Sequence, residues 1–346
     1  MADSSIKVIA QRTNVSPATV SIVLNGRGDA MRISQKTQER VWEVAKSLGY
    51  KPNIYARRLR RRSEEDFHAI IGVLWPNLYS SELIVGFFDG IQNSILKDKM
   101  NVEVVLKPYE YSQLQTMEDV FKNQLFNGVI IVGTSDSDVD YLYSIKSTMP
   151  MVLFNRQNDK YGSVCVDNYN TGEKAAQLLA ARGHKTAALI GPDLISRNFN
   201  MRKAGFLDGC HRYGITVLPE HIIQDTIDSE GKYRSAEKLM MSGTLPTALF
   251  LLISDFGQEV YSVLQGKGVR IPEDIEIIGY SDIVSCKLLK PSMTVIDLPI
   301  QKMVKSSLQL ILDMINGHIQ DSHNVFEESQ FIFRESCGGF PDVKGK

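Results

Sequence analysis

The chain has 346 residues, 43% hydrophobic and 23% charged, with a formal net charge of −1. That length and ordinary composition point to two or three globular domains and exclude collagen-like, coiled-coil and wholly disordered classes. The greasiest run, residues 249–253, is far short of the ~18 apolar residues of a membrane span. The N-terminus has no basic start followed by an apolar stretch, so the expectation is a cytoplasmic protein without a secretory signal. Cys165, Cys210, Cys286 and Cys337 are far apart with no Cys-x-x-Cys spacing, which predicts reduced thiols and neither disulfides nor a zinc site.

Charge is unevenly spread. Residues 1–63 hold thirteen Lys/Arg against four acids, while the remainder carries an excess of ten negative charges. A cationic front on an anionic body suits a polyanionic partner that meets only the front. The alternative is a solvated basic tail, and whether the segment folds decides between them.

Ser4 or Ser5 can cap a helix starting at Ile6, with Ile6, Ile9 and Ala10 on one stripe before Asn14 interrupts it. Ser16-Pro17 reads as an N-cap followed by proline at the first helical position, where its missing N–H costs nothing. Val20, Val23 and Leu24 supply the buried face and Asn25-Gly26 the stop. The polar loop 27–32 is expected to be flexible. Ser34 caps a third helix whose inner side carries Val41, Val44, Ala45 and Leu48, with Gly49 beyond its end.

This is the pattern of an all-α helix-turn-helix. The second helix of that motif enters the major groove with its N-terminal residues against base edges. Pro17, Ala18 and Ile22 cannot make bidentate hydrogen bonds but can touch thymine methyls, while Ser16, Thr19, Ser21 and Asn25 can bond phosphates. Ordinary packing is the competing reading for Ala18 and Ile22. It is weakened because Val20, Val23 and Leu24 already account for the core.

After Pro52, Asn53 can cap a helix of about two turns that contains five arginines, at 57, 58, 60, 61 and 62. Short helices are marginal in water and like charges weaken them, so this one is expected to order only when phosphates neutralise it. Tyr55, Ala56 and Arg57 belong to its DNA-facing set. Leu59, the one large apolar residue of the arginine run, fits a wedge in the minor groove; the bland reading is a charged linker with an incidental leucine.

At these residues the chain resembles the lactose-repressor/galactose-repressor (LacI/GalR) family of bacterial transcription regulators. The carrying residues are 6–10, 15–21, Val23-Leu24-Asn25-Gly26, 48–53 and Ala56-Arg57-Arg58-Leu59. In the body they are Val166-Asp167-Asn168, Arg182-Gly183-His184-Lys185, 202–206 and 271–275. The resemblance implies a homodimer on palindromic double-stranded operator DNA, with one helix-turn-helix per half-site. It also implies paired hinge helices with Leu59 as the wedge, and a two-lobed, periplasmic-binding-protein-like effector domain. Two departures stand out in the head: Ile22 occupies a position more often arginine or polar, and loop 27–32 is slightly long.

From Ala69 onward short Val/Ile-rich runs alternate with helical stretches. Strands are expected at 70–75, 102–107, 129–132, 152–154, 187–190, 248–253 and 275–279, with helices such as 83–97, 171–182, 201–213 and 257–267 between them. That is the signature of parallel sheets of the α/β class, and nearly 280 residues suit two lobes better than one. The expected division is a head at 1–50, a hinge at 51–63 and an effector and dimerisation body at 64–346. Lobe one would hold 67–167 plus 298–326, and lobe two 168–297 plus 327–341.

Ligands of open α/β sheets sit beyond the carboxyl ends of strands. Trp75-Pro76, Gly133-Thr134, Asn155-Arg156, the stretch 196–202, Ser254-Asp255-Phe256 and Ser281-Asp282 occupy such positions. Polar groups with aromatics suit a sugar-like effector, and the arginines could instead hold a phosphate or carboxylate. The resemblance implies effector contacts at Thr134, Asn155, Arg156, Arg197, Phe199, Arg202, Asp255 and Ser281, with serine at 281 where relatives usually carry aspartate. Leu83 and Ile84 could close one side of the cleft or simply pack on the sheet. The resemblance also implies a dimer interface on the helix beginning at Leu83 and on residues 284–289; no leucine heptad follows Gly339, so no C-terminal tetramerisation helix is expected.

No phosphate-binding glycine loop, His-Glu-x-x-His or Gly-x-Ser-x-Gly is present, and the six histidines show no metal spacing. His184, after Gly183 at a helix end, reads as structural. The sequence therefore predicts no cofactor, no metal and no catalysis. The favoured reading is an effector-controlled repressor; the alternatives are a solute-binding protein for transport, which would need a signal sequence, and a sugar-processing enzyme.

Overall fold

A computed structural model describes residues 6–24, 28–48, 68–77, 81–122, 125–194, 196–319 and 322–341. Asn25, Tyr55, Ala56, Arg57, Leu59 and the expected hinge 51–63 lie outside the described residues.

Three helices form the head: α1 (Ile6–Thr13), α2 (Pro17–Leu24) and α3 (Gln35–Ser47). Asn14, at φ +51°, makes the turn between the first two, a left-handed conformation that Asn tolerates better than most residues. Two of the three expected caps are present: the Ser16 hydroxyl accepts from the Thr19 N–H at 3.0 Å, and the Ser34 hydroxyl from the Thr37 N–H at 3.3 Å; the third, Ser4 or Ser5, lies outside the described residues. Ile9, Val20, Val23, Leu24, Val41 and Ala45 form the small core, with Val44 and Leu48 packed against it. The loop before α3 is less free than its polarity suggested. The Gln38 side-chain amide donates to Asp29 (2.9 Å) and to the Ile33 carbonyl (2.8 Å), tying residues 29 and 33 to α3.

The body contains two six-stranded sheets. In chain order its elements are β1 (Ala69–Pro76), α4 (Ser81–Leu96), β2 (Val102–Tyr109), α5 (Glu118–Lys122), β3 (Gly128–Val132), α6 (Asp136–Ser144), β4 (Met151–Phe154), β5 (Gly162–Cys165), α7 (Asn168–Ala181), β6 (Ala187–Pro192), α8 (Arg197–Arg212), β7 (Ile222–Asp225), α9 (Ser229–Met241), β8 (Ala248–Leu251), α10 (Gly257–Gly266), β9 (Glu276–Tyr280), α11 (Val284–Leu288), β10 (Thr294–Ile296), α12 (Ile300–Ile315), β11 (Asn324–Phe326) and β12 (Phe331–Ile332). The first sheet runs β11-β5-β4-β3-β1-β2 and the second β12-β10-β9-β8-β6-β7. The paired strands are parallel except for β10 with β12. The chain passes from one sheet to the other after β5, after β10 and after β11.

All seven expected strands are present, with ends shifted by a residue or a few. Five more were not expected: β5, β7, β10, β11 and β12. Each is at most four residues long, and β7 carries Gln224 and Asp225, so none shows a readable apolar run. One apolar cluster continues through both lobes, from Ala69 and Val132 to Leu189 and Phe250. The outer faces of the two sheets have separate clusters.

Helices α7 and α8 pack at backbone distance. A Cβ at Gly172 would overlap the Arg202 carbonyl, and one at Gly205 would overlap the Tyr169 carbonyl. Only hydrogen fits at these two positions. The close packing holds α8, and with it Asn198, Phe199 and Arg202, against the base of the second sheet. Another tie joins the end of α7 to β9: Glu276 accepts from Arg182 at 2.5 and 2.6 Å and pairs with His184 at 3.0 Å. Burial works to raise its carboxyl, but the hydrogen bonds from Arg182, His184 and Cys337 outweigh that and hold it at about 2. His184 is thus structural, as its helix-end position suggested. All four cysteines are free and buried. Burial pushes Cys165 up to about 11 and Cys210 up to about 12, so both stay protonated and unreactive at neutral pH.

Candidate functional site

Two surfaces carry the sequence-predicted residues. On α2, Ser16, Pro17 and Ala18 are exposed, and Thr19, Ser21 and Ile22 are half-buried, while Val20, Val23 and Leu24 point into the head core. The described residues expected to read DNA therefore lie at the cap and on the outward side of one short helix. The Ser16 and Thr19 hydroxyls also pair with each other at 2.9 Å, so capping pre-positions two of the expected phosphate contacts.

The second surface is a cavity of about 410 Å³ between the lobes. The first sheet contributes Gly133 after β3 and Phe154-Asn155 at the end of β4, with Leu83 from α4. The second contributes Asn198, Phe199 and Arg202 from α8, Asp255 after β8, and residues 280–284 after β9. These are carboxyl ends of parallel strands, where the field of open backbone groups and loop side chains converges.

Arg202 is the most constrained group there, only 1% exposed. Its Nη1 donates to the Leu252 carbonyl at 2.5 Å and its Nη2 to Asn168 at 2.6 Å, while Nε has no partner. The guanidinium carbon lies 3.3 Å from the centroid of the Tyr280 ring, with Phe199 at 5.9 Å. Burial lowers its pKa to about 10, so it remains cationic at neutral pH. Asn155 and Ser281 both adopt positive φ, +56° and +77°, a conformation Asn tolerates but one that serine holds only when surroundings enforce it. Here the Asn155 N–H donates to Val164 (2.7 Å) and the Ser281 N–H to Ile296 (2.9 Å). Asn198 donates its side-chain amide to the Asn155 carbonyl at 2.7 Å, bridging the lobes at the cavity wall.

The expected effector residues divide into three groups. Asn155, Phe199, Arg202, Asp255 and Ser281 line the large cavity. Thr134 and Arg156 line a small polar recess of about 20 Å³ beside it, shared with Asn155 and Asn198; Arg156 is ion-paired with Asp136, and the Thr134 hydroxyl is buried without a partner. Trp75 and Arg197 line neither. Trp75 is buried edge-on against Phe87, 5.2 Å between ring centroids, so its place at a strand end serves core packing. Arg197 opens α8 with its side chain exposed. Leu83 lines the cavity, whereas Ile84 packs on the core without lining it.

Sequence reasoning missed Tyr280, Ile227, Lys287 and Gln301 as cavity residues, and named Asn198 only as part of the stretch 196–202. Tyr280 ends an expected strand and could have been found by shifting that strand one residue. Ile227 follows β7, which left no apolar signature, and Gln301 sits on α12, which was not anticipated.

Among the described residues no group of His, Cys, Asp and Glu is placed to hold a metal, and no helix is long and apolar enough to cross a membrane.

Residues 5–53 match the family model for bacterial regulatory proteins of the lacI family, and residues 176–337 that for a periplasmic binding protein-like domain. A curated relative, the probable HTH-type transcriptional repressor ExuR of Bacillus subtilis, is 26% identical over 337 residues, covering 96% of this chain and 98% of the relative. A LacI family transcription regulator from Clostridium acetobutylicum is 33% identical, with a TM-score of 0.74 over 77% of this chain and 99% of that one. A LacI family regulator from Enterococcus faecium, solved with bound ribose, shares the fold at 24% identity and TM-score 0.65, covering 78% of this chain and 99% of that one.

Proposed function

The chain belongs to the LacI family of bacterial regulatory proteins, a family of DNA-binding transcription regulators and not of enzymes, and on that footing we propose that it is a repressor whose operator affinity is switched by a sugar or sugar derivative bound between its lobes. The division into a head at 1–50, a hinge at 51–63 and a body at 64–346 is part of the proposal. The observation that carries it is the pairing of two features in one chain. A folded helix-turn-helix exposes Ser16, Pro17 and Ala18, and an interlobe cavity gathers strand-end polar groups around a buried arginine. A transport protein has no use for the first, and the ribose-bound neighbour offers a precedent for a sugar in this fold.

A two-fold operator asks for a two-fold protein. Val85 and Phe88 on α4 and Val284 and Leu288 on α11 are 57%, 45%, 65% and 71% exposed. Such residues are the natural centre of a homodimer interface. Val85 and Val284 also border the cavity, so a ligand that moves the lobes acts on the same residues that would meet the second protomer. A changed lobe arrangement alters the spacing of the two hinges, which pair in the minor groove or do not. Tyr55, Ala56 and Arg57 would contact the backbone and Leu59 would be the wedge.

A salt-titrated gel shift on genomic fragments tests the reading. Site-specific binding that weakens steeply with salt supports it; binding with no site preference refutes it. Leu59→Ala should lower specific affinity while leaving salt-sensitive, non-specific binding nearly intact, and equal loss of both would remove the wedge.

A further inference from the structure

The guanidinium of Arg202 sits in the cavity wall without a counter-ion. Its hydrogen bonds go to a neutral carbonyl and a neutral amide, its faces meet the aromatic rings of Tyr280 and Phe199, and no carboxylate among the described residues forms an ion pair with it. Several other charged residues in the second lobe are ion-paired: Asp282 with Arg334 at 2.7 Å and Lys287 at 3.4 Å, Glu276 with Arg182. A buried charge is strongly disfavoured unless something compensates it. The strand-end position next to Tyr280, where an acid could have done so, holds Ser281.

We propose that the cleft takes a hydroxylated monocarboxylate, a sugar acid, whose carboxylate supplies the counter-charge to Arg202. This rests on the reading of the cleft as the effector site and narrows the class of effector. A single negative charge matches better than a phosphate dianion. A single guanidinium whose two Nη groups already each donate one hydrogen bond, to Leu252 and Asn168, offers at most one anion position, and Asp89 and Asp255 elsewhere on the wall would repel additional negative charge. Those same carboxylates, with Asn155, Asn198 and Ser281, accept and donate hydrogen bonds to hydroxyls. The apolar remainder, Leu83, Phe199 and Leu298 among it, packs the carbon faces of the ligand. An uncharged sugar can accept a hydrogen bond from the guanidinium but brings it no counter-charge.

The test is isothermal titration of the full chain with matched probes: galacturonate, glucuronate and gluconate against galactose and glucose, with glucose 6-phosphate and galactose 1-phosphate as the dianion arm. At least one carboxylate probe should bind about tenfold or more tighter than its neutral counterpart, the scale of one charge-assisted contact. Neutral sugars binding as well as or better than the acids, phosphates binding best, or no acid binding at all would each overturn the proposal. Ser281→Asp, which supplies an internal counter-charge, should erase the preference for the acid, to within about twofold of the neutral probe; an undiminished preference would overturn the assignment to Arg202. Arg202→Gln should lose the preference likewise, and the wild-type ratio decides the matter if that variant does not fold. Operator release measured on the same samples separates the two claims. Release by a neutral sugar alone leaves the repressor reading standing and removes the sugar acid. No response of operator binding to any probe that binds the cleft removes the effector reading itself.

Discussion

The head and the interlobe cleft solve opposite problems. The head turns functional residues outward from one eight-residue helix, α2, over a core of a few apolar side chains. The cleft turns them inward and gathers them from segments as distant as Leu83 and Ser281. A surface that meets a polyanion can be built from local spacing, because the partner is large and needs only an exposed face. A pocket for a small molecule must surround it, and surrounding requires loops from both sheets. The head should consequently be sensitive to local helix-making features, and the cleft to the packing that holds distant elements together.

That contrast can be broken by substitution. The largest effect should come from Gly205→Ala, which drives a methyl into the Tyr169 carbonyl. A destabilisation of about 3 kcal/mol is expected, read by calorimetry, together with weaker cleft binding because α8 carries Arg202. A change below about 0.5 kcal/mol would mean that α7 and α8 are not so close. Glu276→Gln should cost about 2 kcal/mol by leaving Arg182 unpaired. The sign of the pH dependence follows from its depressed pKa. The wild-type contribution is complete above the unfolded value near 4.5 and is lost as pH falls toward about 2. The variant should lack that acid-side loss, and a parallel fall in denaturation midpoint for both proteins between pH 5 and about 2 would exclude the assignment.

In the head, Val20→Ala removes two methyl groups from a fully buried position and should cost about 2 kcal/mol. Operator binding should weaken while ligand-induced stabilisation of the body persists. Loss of both would couple the regions more tightly than the contrast allows. Ser16→Ala should have the smallest effect, about 1 kcal/mol from the lost cap, with a modest drop in operator affinity measured by anisotropy; unchanged helix stability by circular dichroism would count against the cap.

The same contrast explains what the sequence made legible. The caps at Ser16 and Ser34, the turn at Asn14 and the buried trio on α2 are local features, readable at spacings of three or four. The long strands of the body were readable as apolar runs. The short edge strands were not, because β11 and β12 are held by pairing with distant partners, Asn324 against Ser163 and Phe331 against Ile296. The strand-end rule placed Asn155, Asp255 and Ser281 on the cavity but also nominated Trp75, because it cannot tell a side chain aimed at the cleft from one turned under α4. Asn198 and Arg197 are adjacent on α8. Only the phase of that helix decides which faces the other lobe, and one residue of phase lies below what the pattern resolves. The loop before α3 was misread as free because the Gln38 amide that secures it lies in the next helix.

The central claim is that a small molecule between the lobes governs DNA binding by the head. Fluorescence anisotropy of the full chain on a footprinted operator, with and without a compound shown to bind the cleft, tests it most directly. The account predicts a specific site whose affinity changes about tenfold or more when the cleft is filled. Saturating the cleft with no change in operator affinity would contradict it.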